Sequence, residues 1–249
     1  MPAQPQSPLR PAPVPGLFVT GTDTEVGKTV VAGAIAAWFR SRGARVAVLK
    51  PIATGCEHRR EGLVSPDAEF LAHCADTPHP LDLVCPVRYA EPLAPAVAAE
   101  RAAQPVDWAA VQRSLDLITR DCDVLVVEGV GGAMVPLDEK HTVLDLVKWL
   151  GLTSVVVARP GLGTISHTLL TASALRTVGR VAGVVINRYP ADTAGIAEET
   201  NPRAIEKWGR VPVLCVVPDE PVAASPPGLP PGVVAAVEPV DWWRFTRPD

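Results

Sequence analysis

A single doubly wound α/β domain with a mainly parallel sheet is the fold class that three features of this chain predict. Near its start, the apolar run Leu17-Phe18-Val19 enters a polar loop bracketed by Gly21 and Gly27, and a helix with periodic apolar residues leaves it. Downstream, short continuous apolar runs alternate with helical patterns, as in strands covered on both faces by crossover helices. The residues that close those runs are polar or charged, as expected where the carboxyl ends of parallel strands meet a ligand.

The first unit is the most informative. Residues 21–29 read Gly-Thr-Asp-Thr-Glu-Val-Gly-Lys-Thr, and a strand, loop and helix in that order suit phosphate binding. The helix begins with unpaired N–H groups and about half a positive charge facing the anion. Lys28 is placed to reach terminal phosphates and Thr29 to hold Mg²⁺. Five residues, Thr22 to Val26, separate the two glycines, one more than the generic loop carries. Val30, Val31, Ala34, Ile35, Trp38 and Phe39 then recur at helical spacing, and Gly43 follows Arg40 and Arg42 as a C-terminal signal. A strand over 45–49 completes a βαβ unit.

After a polar loop over 56–64, Ser65 is the expected N-cap and Pro66 the first residue of a helix. A short strand is expected over 84–87, a loop over the Pro/Ala-rich 91–96, and a helix capped by Asp107 to about residue 120. Residues 123–128 read as a fully buried strand running into Gly129-Val130-Gly131-Gly132. Helices over about 143–150, 165–178 and 202–208 alternate with strands over 154–158, 181–186 and 213–217. The domain organisation is therefore a proline-rich, disordered lead over 1–16, a nucleotide-binding domain over 17–220, and a proline-rich tail over 221–249. In that tail Trp242 and Trp243 offer apolar surface for docking.

Composition narrows the function. A chain of 249 residues that is 47% hydrophobic and 20% charged is long enough for a sizeable core. A net charge of −4 leaves no general footprint for nucleic acid. The five cysteines, Cys56, Cys74, Cys85, Cys122 and Cys215, contain no Cys-x-x-Cys pair, which fits a reducing cytoplasm. Cys122 and Cys215 lie in or beside strands and are expected in the core. No run reaches transmembrane length, so no membrane partner is expected.

The strand ends gather Lys28 and Thr29, then Lys50 and Thr54, Glu128, Asn187 and Pro218, with Asp67 close behind. A carboxylate directly after the apolar run 124–127 is costly to bury unpaired. Mg²⁺ would satisfy Glu128, and so would a salt bridge capping the sheet. Lys50 ends a strand before Pro51, either facing anions or snorkelling to water. Asp67 suits a metal or simply the helix dipole.

Gly21 to Thr29, Lys50-Pro-Ile-Ala-Thr-Gly55, Asp67 and Glu128-Gly-Val-Gly-Gly132, in that order, resemble the dethiobiotin synthetase family, whose fold is of the P-loop NTPase type. The five-residue gap between glycines is the form this family uses. Gly161-Leu-Gly-Thr-Ile-Ser-His-Thr168 and Val184-Val-Ile-Asn-Arg188 look like the family too. The resemblance, from about residue 17 to 220, implies a cytoplasmic, Mg²⁺-dependent ligase of biotin biosynthesis. ATP is its co-substrate, and it closes a ureido ring on 7,8-diaminopelargonate with CO₂. By the same resemblance Lys50 and Lys28 are catalytic and Thr54 holds substrate. Thr29, Asp67 and Glu128 hold Mg²⁺. Glu25, Val26, Gly27, Lys28, Thr29 and Val30 wrap the phosphates with Glu128, Gly129, Val130 and Gly131, while Asn187, Arg188, Pro218, Asp219 and Glu220 face the base. The family meets the substrate carboxylate across a homodimer interface with backbone N–H groups of a loop before a helix, here Leu162, Gly163, Thr164, Ile165 and Ser166. Ser166 stands where asparagine is common.

Two other enzyme and binding classes share such a fold. A glutamine-dependent amidoligase of the cobyrinate type needs a glutaminase region, for which this chain is too short. A partition-type nucleotide switch usually places a lysine early in the loop, where Thr22 stands here.

Overall fold

The computed structural model describes residues 7–60, 62–221, 223–224 and 227–247. In chain order the first half comprises β1 (Gly16–Gly21), α1 (Lys28–Ser41), β2 (Val46–Leu49), β3 (Ile52–Ala53), β4 (Glu57–Arg59), β5 (Gly62–Val64), α2 (Pro66–Ala75), α3 (Leu81–Val84), β6 (Val87–Arg88), α4 (Pro95–Arg101) and α5 (Trp108–Ile118). The second half comprises β7 (Val124–Gly132), α6 (Val143–Leu150), β8 (Thr153–Ala158), α7 (Thr164–Arg176), β9 (Val181–Tyr189), α8 (Ile196–Gly209), β10 (Val213–Pro218), β11 (Ala223–Ala224), β12 (Pro227–Gly228), α9 (Pro231–Val237) and α10 (Trp243–Thr246).

Six strands form one sheet in the order β10-β9-β8-β1-β7-β2, and every pairing in it is parallel. Alternation of side chains along each strand divides the core. Leu17, Val19, Val46, Val124, Val126, Val155 and Val157 pack with α1 and α2 on one face. Phe18, Ala47, Leu49, Leu125, Val127 and Val156 pack with α5, α6 and α7 on the other. The strands are apolar on both sides because helices cover both sides.

The sheet order reverses at β1. The chain leaves it for β2 on one side and later adds β8, β9 and β10 on the other, so a crevice opens above the carboxyl end of β1. Against β1, β7 keeps register through Val19↔Glu128 and then shifts before Gly21↔Gly132. That irregularity opens the ladder directly after Glu128.

Local signals explain several boundaries. Ser65 accepts the Ala68 N–H at 3.3 Å and Asp107 the Ala110 N–H at 2.8 Å, each capping its helix. Other expectations are corrected. The stretch 84–87 is the end of α3 followed by the short β6, and the polar loop over 56–64 carries the β4–β5 hairpin. The loop expected over 91–96 gives way at Pro95 to α4, with proline in the first turn where its missing N–H costs nothing. Pro202, expected as the start of a helix, lies inside α8, which begins six residues earlier at Ile196. There Glu198 accepts the Gly195 N–H at 3.0 Å and supplies the start signal. Cys122 and Cys215 are half-buried rather than core residues.

Residues 7–15 correct the expectation of a disordered lead, whose first six residues lie outside the described ones. Leu9 is buried, Arg10 N–H donates to Gln112 at 2.7 Å, and Ala12 N–H donates to the Leu150 carbonyl at 3.0 Å. Of the C-terminal stretch, residues 222, 225–226 and 248–249 lie outside the described ones. The remainder packs closely: Trp242 is fully buried with its indole N–H on Val237 O at 3.2 Å, and Trp243 meets Phe39 edge-on at 4.8 Å. Among the described residues no helix is long and apolar enough to cross a membrane.

Because Trp242 is fully buried in the core cluster on the α1 side of the sheet, Trp242→Ala is expected to destabilise the whole domain by about 3–5 kcal/mol. Urea denaturation followed by circular dichroism measures it. A loss below about 1 kcal/mol would show that the C-terminal helices lie outside the cooperative unit.

Candidate active site

The loop after β1 is shaped by two residues in the left-handed region, Glu25 at φ 59° and Gly27 at φ 86°. Such turns aim successive N–H groups at one point. No side chain caps the start of α1, so its first N–H groups stay available to an anion. Lys28 is buried and its ammonium donates to the Asp23 carbonyl at 2.9 Å. Asp23 is itself fixed, its carboxylate accepting the Thr24 N–H at 2.7 Å and pairing with Arg159. Burial lowers the Lys28 pKa, and a bound phosphate would reverse that pressure.

Opposite this loop, β2 and β7 deliver two buried charges. The Lys50 ammonium lies 2.6 Å from Glu128 Oε1 and 2.8 Å from Asp67 Oδ2. Thr29 Oγ1 stands 2.9 Å from both Asp67 Oδ1 and Glu128 Oε1, and its single proton serves only one of them. Glu128 Oε2 is buried and has no hydrogen-bond partner among the described residues. Burial pushes Glu128 above the ordinary carboxylate range against the pull of Lys50. Burial alone would lower Lys50, but Glu128 and Asp67 outweigh it and hold the ammonium charged. Asp67 is held below its ordinary value, burial being overcome by Lys50. Two carboxylates and a hydroxyl converging in this way are suited to a hard divalent cation that also takes phosphate oxygens and water.

Lys28, Thr29, Lys50, Thr54, Asp67 and Glu128 all line one cleft of about 700 Å³. A second cavity of about 430 Å³ lies beside Val30 and is walled by Asn187, Arg188, Pro218, Asp219 and Glu220. Asn187 is buried, and its amide donates to the Val26 carbonyl at 2.9 Å, tying the end of β9 to the phosphate loop. Its side-chain oxygen is left to accept from a ligand. Glu220 accepts the Gly232 N–H at 3.0 Å, which fixes the turn after β10.

Residues 162–166 are not brought to the cleft within one chain. Leu162 is 92% exposed, Ser166 is exposed, and Thr164 turns inward to Thr168. Gly163, at φ 92°, caps α7 without a side-chain hydrogen bond, so the first N–H groups of that helix are not taken by a cap. Asn201 of α8 steadies the segment by donating to the carbonyls of Pro160 at 2.7 Å and Gly161 at 3.2 Å. The sequence reading passed over Pro92, Leu93, Ala94 and Pro95, which form one wall of the cleft. These carry no chemistry that spacing reveals. Asp23 and Arg159 were missed for a different reason, since their pairing links positions 136 residues apart.

A phosphate loop at the switch point of a parallel sheet, with Lys28, Thr29 and an acidic strand end beside it, defines a fold of the P-loop NTPase type. A family profile described as an AAA domain matches residues 15–226. The ATP-dependent dethiobiotin synthetase BioD of Thermodesulfovibrio yellowstonii is 40% identical over 211 residues, covering 82% of this chain and 88% of that one. That of Bacillus licheniformis is 41% identical over 206 residues, covering 82% and 85%. The chain belongs to the ATP-dependent dethiobiotin synthetase family. Among solved structures, the septum site-determining protein MinD of Pyrococcus horikoshii, complexed with Mg-ADP, superimposes with a TM-score of 0.51 at 16% identity, covering 89% of this chain and 86% of that one. The cell division ATPase MinD of Pyrococcus furiosus gives 0.50 at 17%, covering 94% and 93%. At such identity these two show the shared fold alone.

A Cβ added at Gly27 would stand 1.9 Å from Asn187 Nδ2, whereas Gly43, also at positive φ, has nothing within 4 Å. Gly27→Ala is therefore expected to weaken nucleotide binding by about 100-fold or more through misplacement of the loop. Gly43→Ala should cost only about 1–2 kcal/mol of stability and leave affinity intact. Calorimetric titration with ATP and a thermal melt of each variant separate the two effects; equal affinities would refute the close approach.

Proposed function

We propose that the protein is a dethiobiotin synthetase that uses ATP to close a ureido ring on 7,8-diaminopelargonate with CO₂. The observation that carries this reading is Lys50, a buried cation beside Thr54 in the same cleft as the phosphate loop. It occurs in a chain about 40% identical to curated synthetases over most of its length.

One substrate amine adds to CO₂, losing a proton and forming the N–C bond of a carbamate. A carbamate oxygen then attacks the γ-phosphorus, the bond to the β-bridging oxygen breaks, and ADP leaves. The second amine attacks the carbonyl carbon of the mixed anhydride, phosphate departs, and the ring closes. Such chemistry needs positioning and charge compensation above all. Lys50 supplies a positive charge for the carbamate and the transferring phosphoryl group, and Lys28 supplies one for the β- and γ-phosphates. Glu25 to Val30 and Glu128 to Gly131 cradle the phosphates. Thr54 holds the substrate end nearest Lys50. Asn187, Arg188 and the turn Pro218–Glu220 receive the base in the second cavity.

Mg²⁺ fits this site: Thr29, Asp67 and Glu128 would hold it, the unpartnered Glu128 Oε2 awaits a cation, and the ion would neutralise phosphate charge. The exposed Leu162, Gly163 and Ser166 before and at the start of α7 support a role for this segment in meeting the substrate carboxylate from a second copy of the chain. Leu162, Leu170 and Ile196, exposed on or beside α7 and α8, offer apolar surface for a homodimer contact. Cytoplasmic location follows from the cysteine usage and this chemistry. A partition-type switch is the rival reading, but nothing in the cleft favours it over a ligase.

Purified protein given ATP, Mg²⁺ and bicarbonate is expected to release phosphate only when the diamine is added. Release indifferent to the diamine would sink the ligase assignment and leave only the nucleotidase. Lys50→Ala should lower kcat by about 100-fold or more while ATP binding stays within about threefold of wild type; an unchanged kcat would remove Lys50 from the chemistry. Glu128→Gln should raise the Mg²⁺ concentration for half-maximal rate by about tenfold or more, and an unaltered titration would make Glu128 a purely structural partner of Lys50.

A further inference from the structure

The Lys50 ammonium and the proposed metal draw on the same oxygens. Glu128 Oε1 is shared between Lys50 Nζ at 2.6 Å and Thr29 Oγ1 at 2.9 Å, and Asp67 offers one oxygen to each. A cation bound by Glu128 and Asp67 at about 2.1 Å would stand within about 5 Å of an ammonium left in place. That is well inside the Debye length, and Lys50 and Glu128 are buried while Asp67 is half-buried, so an ammonium left in place would oppose the metal. The second oxygen of Glu128 is buried without a partner, so the ammonium satisfies this acid pair incompletely.

We propose that Lys50 is a cationic placeholder: it neutralises Asp67 and Glu128 in the metal-free protein, and a divalent cation arriving with the nucleotide displaces its ammonium toward Thr54. The inference rests on the metal-site reading given above and adds an order of events to it. Lysine would then be presented to the reacting groups only after the metal is in place.

The backbone allows this without rearrangement of the fold. Lys50 N–H is held by the Val84 carbonyl at 2.7 Å and Pro51 fixes the next residue, so only the four-carbon side chain needs to move. Its ammonium already reaches toward the Gly129 carbonyl at 3.3 Å, and both Lys50 and Thr54 line the cleft. Charge balance points the same way. Lys28 and Lys50 against Asp67 and Glu128 sum to zero, so a dication alone would leave the site strongly positive. With a polyphosphate it would not. Metal entry is thereby coupled to nucleotide entry.

The test measures metal binding directly, on the full chain. Mn²⁺ binding to nucleotide-free protein, followed by electron paramagnetic resonance, should be at least about tenfold tighter in Lys50→Met than in wild type. Lys50→Arg keeps the charge and should bind as weakly as wild type. In wild-type protein labelled on lysine side chains, the Lys50 nitrogen resonance, assigned by its loss in Lys50→Arg, should shift when Mg²⁺ and nucleotide are added together. Nucleotide alone should not produce that shift. This second measurement decides the matter if Lys50→Met fails to fold. Equal or weaker Mn²⁺ binding by Lys50→Met, or a Lys50 signal indifferent to Mg²⁺, overturns displacement and leaves the metal site standing. Absence of Mn²⁺ binding by wild type even with nucleotide overturns both.

Discussion

Two charges buried at the carboxyl end of a parallel sheet set the terms for everything around them. Glu128 is 1% exposed and Lys50 is 2% exposed, and neither is tolerable there without the other. Their meeting requires β2 and β7 to be neighbours in register, since Leu49 pairs with Val127 and the next residue of each strand is the charged one. A slip of one residue in either strand would turn that strand's charged side chain to the opposite face and part the two. The pair therefore specifies a register that the apolar residues of β2 and of β7 up to Val127, all buried, leave weakly defined.

From that register the crevice follows. Inserting β7 between β1 and β2 places Glu128 beside the phosphate loop, while β8 and β9 on the other side bring Arg159 and Asn187 to the same loop. Arg159 grips Asp23, whose carbonyl holds Lys28, and Asn187 grips Val26. The loop is thus pinned at both ends by strands that are remote in sequence. A loop with left-handed residues at Glu25 and Gly27 stores backbone strain of about 1 kcal/mol or more, and these two anchors offset it.

What was legible in the sequence is what local physics decides. Continuous valine-rich runs between turn residues gave the strands, Ser65 and Asp107 marked helix starts, and charged residues closing apolar runs located the crevice. The errors arise where a distant contact overrides a local signal. Pro202 reads as a start, but Glu198 caps Gly195 first and α8 accommodates the proline. Residues 7–15 have the composition of a disordered lead, yet Leu9 finds a place in the core and Arg10 an acceptor on α5. Proline-rich composition describes what a segment does alone and is silent about a surface waiting to receive it. The wall formed by Pro92 to Pro95 escaped for a related reason: it shapes the cleft by volume, which has no sequence signature.

The division between fold and activity is visible in the same residues. Archaeal MinD shares the architecture at 16–17% identity, and that likeness is one of fold and not of reaction. Chemistry specific to a ligase has to come from outside the phosphate loop, because the loop's N–H groups, Lys28 and Thr29 serve any nucleotide equally. Here the addition is short, the segment from Lys50 to Thr54 after β2. It delivers one buried cation and one hydroxyl to the cleft that the phosphate loop also lines. The acid pair that holds this lysine, Asp67 and Glu128, is the same pair that the proposed metal would use. Economy of that kind explains how an ordinary strand end can be both a folding constraint and a working part.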